Sequence, residues 1–206
     1  MKNITANWLC ALLFLISQTA FAQNNLLKTI FNDKSNFALT TEFGNKMPKT
    51  FLVIDSTQKW YGKCFKLPEN LKDTSVMNRI LNDEHHPYHH TYIFRDSLLN
   101  SLFNDAEKEA LFTASQQQKP RLLQIIEAPF TLIKSYKNVK NGFFFSISDI
   151  LYSNDKKYAF INIYIYRKTS KRQSLDDTSY GSILLVYQKI SNNNWQKLKS
   201  LGHLIL

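Results

Sequence analysis

The sequence predicts an α+β protein in which N-terminal helices pack on a C-terminal antiparallel sheet of about four to five strands. Three observations predict it. Up to Gln118, apolar residues recur at helical spacing with capping residues ahead of them. After Pro120 the chain becomes a series of apolar runs divided by Asn-, Asp- and Gly-containing breaks. One run, Tyr158 to Tyr166, is apolar on both alternating sets, as expected of a central strand covered on both sides.

The chain opens with Lys2, an apolar run from Trp8 to Ile16, and Ala20-Phe21-Ala22. A basic start, a short apolar core and a small-x-small end form the pattern of a cleavable signal peptide over residues 1–22. The run is too short for the roughly 20 apolar residues that span a bilayer. Cys10 lies well ahead of the small-residue end, so no lipoprotein anchor is expected. Residues 23–206 are then expected to form one domain, mainly helical over 23–118 with one or two strands, and mainly antiparallel strands over 119–206.

Leu26, Leu27, Ile30 and Phe31 predict a short amphipathic helix within Asn24 to Asn32. Thr50 to Asp55 reads as a strand and Trp60 to Phe65 as a second, closed by Pro68. Val76, Met77, Ile80 and Leu81 predict a helix over Leu71 to Leu81. Phe94 to Phe103 leads into the clearest helix, which starts at Asn104 with Glu107 three residues on, a capping-box pair. Asp105, Glu107 and Glu109 complement its dipole, and it ends before Pro120. Leu122 to Ile126, Phe143 to Ile147, Tyr158 to Lys168, Ser182 to Ile190 and Trp195 to Leu201 complete the expected strands.

Hydrophobic residues make up 44% and aromatics 14% of the chain, which excludes a disordered protein. Cys64 is the only cysteine beyond the signal segment, so no intramolecular disulfide can form and packing must supply stability. Its lone position between Lys63 and Phe65 predicts a buried structural thiol.

The stretch Phe145-Ser146-Ile147-Ser148-Asp149-Ile150-Leu151-Tyr152-Ser153, with Lys157-Tyr158-Ala159, Tyr180-Gly181-Ser182-Ile183-Leu184-Leu185-Val186-Tyr187 and Trp195, carries a resemblance. With Leu102-Phe103-Asn104-Asp105-Ala106-Glu107 and Gln116, it resembles small, mostly uncharacterised exported proteins of Bacteroidota-type bacteria. Many of those carry a cysteine pair before the glycine, which this chain lacks. The resemblance implies export and an α+β fold, and it implies no activity.

The formal charge of +10 is unevenly spread. Residues 23–118 are neutral, with 11 basic and 11 acidic residues, whereas residues 119–172 carry 11 basic against three acidic residues. Such a segment attracts anionic partners. Lys134, Lys137, Lys140, Arg167, Lys168, Lys171 and Arg172, beside Tyr164 and Tyr166, are the candidate binding residues. Aromatic faces beside cations can stack rings while the cations hold carboxylates or phosphates.

Four of five histidines, His85, His86, His89 and His90, fall within six residues. They form a candidate site for zinc or another divalent transition metal, with Asp83 or Glu84 as an oxygen ligand. Pro87 breaks the helical register of His85 and His89, and no His-Glu-x-x-His order is present. His90-Thr91-Tyr92 is half of a paired His-x-Thr pattern with no second copy. Ser56-Thr57-Gln58-Lys59 matches Ser-x-x-Lys without the accompanying penicillin-binding elements. No phosphate-cradling glycine loop is present.

The sequence therefore predicts an exported, non-enzymatic binding or inhibitory module contacting an acidic protein or anionic envelope polymer, without a required cofactor. Nucleic-acid regulation is not expected of an exported chain, nor is a membrane span after cleavage. The alternatives are a metal-dependent hydrolase or metal-binding protein centred on the histidines, and a structural envelope protein.

Overall fold

The computed structural model describes residues 25–60, 64–66, 75, 78–79, 82, 92–123, 129–171, 174–175, 178–191 and 194–204. The expected signal segment and the core of the Leu71–Leu81 helix lie outside these, although Ser75, Asn78, Arg79 and Asn82 are helical.

The chain is α+β, built on one seven-stranded, mostly antiparallel sheet. Its strands are β1 (Phe51–Ile54), β2 (Phe130–Ile133), β3 (Gly142–Ile147), β4 (Leu151–Tyr152), β5 (Tyr158–Lys168), β6 (Ser179–Ser191) and β7 (Asn194–Leu204). They lie in the order β2-β1-β3-β5-β6-β7, with β4 pairing β5 off this path. From β3 onwards the pairings are antiparallel, whereas β1 is parallel to both its neighbours.

This corrects the expected sheet of about four to five strands. β1 comes from the N-terminal half and inserts between β2 and β3. β2 and β4 are too short to stand out as apolar runs and owe their place to their neighbours. Of the expected Leu122–Ile126 strand, Leu122 forms an isolated bridge with Ser56, and residues 124–128 lie outside the described set. Nor do Trp60, Cys64 and Phe65, the described residues of the expected Trp60–Phe65 strand, lie in one, and residues 61–63 are outside the described set. Trp60 is outside regular structure and Cys64 is in a 3-10 turn. Their apolar side chains cover the sheet instead of extending it, and the Trp60 indole donates to the Asp149 carbonyl at 2.7 Å.

The helices are not all N-terminal to the sheet, because a 3-10 turn (Tyr136–Asn138) lies between β2 and β3. Nor do the helical segments lie over one face. Helix α1 (residues 25–32) and the 3-10 segment Lys34–Gly44 cover the first face. There Leu26, Leu27, Ile30, Phe31 and Phe37 pack with Phe51, Val53, Phe145, Ile161, Ile163, Ile165 and Leu185. The spacing that predicted α1 is the spacing that buries it.

On the second face lie the 3-10 turn Ile93–Arg95, α2 (Ser97–Leu102) and α3 (Asp105–Gln117). Phe65, Phe94, Leu99, Phe103 and Leu111 pack there with Leu151, Phe160, Leu184 and Val186. Both halves of the Asn104–Glu107 capping box are formed: Glu107 N–H donates to Asn104 Oδ1 at 2.9 Å, and Asn104 N–H donates to Glu107 Oε2 at 3.4 Å. Asp96 caps α2 and also pairs with Lys199 of β7 at 2.6 Å, tying that helix to the sheet.

Strand β5 meets both clusters. Ile161, Ile163 and Ile165 enter the first, Phe160 enters the second, and all four are fully buried. The expectation of a strand covered on both sides holds.

A basic end of the sheet as candidate binding site

Because side chains alternate along a strand, Phe160, Asn162, Tyr164, Tyr166 and Lys168 of β5 share the second face. The helices cover the Phe160 end. Towards the other end the apolar packing gives way to a polar lane. Ser146 on β3 pairs with Tyr164 on β5, and Ser182 on β6 also pairs with Tyr164. Among the described residues, Ser146 Oγ and Asn162 Oδ1 are both buried without a hydrogen-bond partner.

Tyr164 is largely packed away. Its hydroxyl donates to the Lys59 carbonyl at 3.4 Å, and burial pushes its phenol up to about 12. Tyr166 lies opposite Phe144 on β3, the two rings stacked at 4.9 Å between centroids. Tyr136, in the 3-10 turn, stacks on the same Phe144 at 6.3 Å. One aromatic wall thus joins the β2–β3 crossover to the end of β5.

The candidate cations gather around this wall. Lys134, Lys137 and Lys140 are exposed along the crossover that leads from β2 past β1 to β3. Gly142, two residues after Lys140, pairs with Lys168, and Phe143 pairs with Arg167. The Lys168 ammonium donates to the Tyr136 carbonyl at 3.4 Å, and the Arg167 guanidinium lies 5.6 Å from the Phe143 ring centroid. Lys171 is exposed just beyond β5, while Arg172 lies outside the described residues. The fold therefore brings Lys137, Lys140, Arg167, Lys168 and Lys171 to one end of the sheet, with Lys134 at the far start of the crossover.

Tyr136, Gly142, Phe143 and Phe144 did not stand out in the sequence. Their role follows from β2 and its crossover, whose only local signal was the Asn138 to Gly142 stretch of turn-forming residues.

The other candidates fare differently. His85, His86, His89 and His90 lie outside the described residues, and among the described residues no three His, Cys, Asp or Glu side chains are grouped to hold a metal. Cys64 is buried, and burial alone pushes its thiol up to about 12, the reverse of an activated nucleophile. Ser56 sits in a β-bridge, and the neighbouring Thr57 hydroxyl accepts from Arg121 N–H at 3.0 Å, so the Ser-x-x-Lys stretch opens no helix. The Arg121–Asp149 fork, at 2.7 and 2.5 Å, fastens this connection to the loop after β3. No family model, curated protein or solved structure matches this chain.

Proposed function

We propose that the chain is an exported, non-enzymatic binding or inhibitory module that contacts an acidic protein or anionic envelope polymer through this basic end. Export is supported by the signal-like pattern of residues 1–22. Among the described residues no helix is long and apolar enough to cross a membrane.

The observation that carries the reading is the meeting of two basic runs distant in sequence. Lys137 and Lys140 belong to the crossover, Arg167, Lys168 and Lys171 to the end of β5, and the Gly142–Lys168 pairing sets them side by side. Several cations gathered at one end of the sheet, with Arg167 on its first face and Lys168 on its second, raise the local concentration of an anionic partner and orient its approach. The partly exposed rings of Tyr136 and Tyr166 add contact area between them.

The test is a triple charge reversal at three exposed positions, Lys137→Glu, Lys140→Glu and Lys171→Glu. Binding to an immobilised carboxylate polymer should fall more than about tenfold, and wild-type binding should weaken as salt rises from about 0.05 M to about 0.5 M. Binding that survives both the reversal and the salt would overturn the reading.

A further inference from the structure

Lys168 differs from every other cation at this end of the sheet. The exposed lysines are solvated, but Lys168 retains only 8% of its surface. Lysine is almost never so buried without a partner. Yet no carboxylate is paired with Lys168 among the described residues. Its one hydrogen bond among the described residues, to the Tyr136 carbonyl at 3.4 Å, is long and uses one of three donors. The Tyr136 ring, with its centroid 5.8 Å from the ammonium, gives further but weak compensation.

Space is left beside it. The residue paired with Lys168 across the strands is Gly142, which brings no side chain, and a Cβ built there would meet nothing within 4 Å. Gly142 has φ of +110°, a conformation other residues rarely adopt, so the backbone itself keeps this position bare. The partly exposed rings of Tyr136 and Tyr166, both stacked on the fully buried Phe144, stand alongside.

We infer that Lys168, Gly142 and this aromatic wall form a notch for the carboxylate of an acidic sugar, the anchoring point of the basic surface. This deepens the proposed function and rests on it. A lone ammonium matches a singly charged carboxylate, whereas a phosphate dianion would remain half-compensated in so buried a place. The exposed parts of the Tyr136 and Tyr166 rings suit the rigid ring that carries a sugar carboxylate better than the flexible stem of an acidic side chain. Lys137, Lys140 and Lys171 then hold neighbouring units of the same polymer.

The experiment measures binding of oligogalacturonate, with oligoglutamate as comparison, to wild type, Lys168→Met, Lys137→Gln and the triple charge reversal. Methionine matches the stem of lysine and removes an unpaired buried charge, so unliganded thermal stability should be equal or higher, which separates binding loss from misfolding. Lys168→Met should lose about tenfold or more in affinity for oligogalacturonate, and the exposed Lys137→Gln less than about threefold. If Lys168→Met binds as wild type while the triple reversal does not, the notch is refuted and the basic surface stands. If neither change affects binding, both are refuted. Tighter binding of oligoglutamate, or no binding of oligogalacturonate by wild type, overturns the sugar assignment.

Discussion

The two faces of the sheet are made from alternate residues of the same strands, yet they bury different things. Under α1 and the Lys34–Gly44 segment the first face is a continuous aromatic and aliphatic core. Phe37 alone meets Phe31, Phe51 and Phe145 with ring centroids 5.2, 4.2 and 5.3 Å away. Its polar groups are satisfied: buried Asn36 donates to the Ile30 carbonyl and the Tyr187 hydroxyl, and Lys197 reaches Asp33, Ser35 and Asn36 within 2.9 Å. The second face is comparable under α2 and α3, then changes to Ser146, Asn162, Tyr164 and Lys168, where Ser146 Oγ and Asn162 Oδ1 are buried without a partner among the described residues. Buried polar groups are normally satisfied, so the contrast marks the first face as structural and the far end of the second as the place where a ligand has something to supply.

The largest effect that can break this comparison is on the first face. Phe37→Ala should destabilise the protein by about 3 to 5 kcal/mol, through lost transfer energy and an aromatic cavity, in equilibrium denaturant unfolding. A loss under about 1 kcal/mol would mean that this core is loosely packed and the two faces are less different than described.

A smaller effect is expected at the polar clasp of the same face. Burial works against ionisation of Asp33, but hydrogen bonds from Lys197 and Ser35 outweigh it and hold the carboxyl below its ordinary 3.8. A carboxyl depressed in the folded state stabilises fully above its unfolded value, and that stabilisation disappears as pH falls through the lower folded one. Lys197→Met should therefore cost about 1 kcal/mol near neutral pH, a modest figure because Asp33 is partly solvated. The difference from wild type should shrink in unfolding curves taken below pH 3.8 and vanish in stronger acid.

The smallest effect sharpens the other side. Ser146→Ala removes a buried hydroxyl that has no partner, so its stability should change by less than about 1 kcal/mol, with the sign favouring the variant. A clear loss of stability would show that the hydroxyl is satisfied and the polar lane is as well settled as the first face.

Much of the secondary structure was legible locally. Leu26, Leu27, Ile30 and Phe31 announced α1, Asn104 and Glu107 announced α3, and the doubly apolar run of β5 announced its central place. These signals depend on neighbours a few residues apart. β2, β4 and the covering role of Trp60, Cys64 and Phe65 were not legible, because short segments acquire their state from partners far along the chain. The candidate site divides in the same way. Its cations were visible as a basic segment, but Tyr136 and Gly142 gain meaning only when the crossover is laid across β1.

The sequence by itself determined the α+β class, the caps, the lone thiol and the uneven charge, since periodicity and composition are properties of the chain alone. Tertiary structure decided which cations share a surface and which one is buried. Strand pairing places Gly142 against Lys168 across 26 residues of chain, and no local pattern encodes the desolvation of a charge.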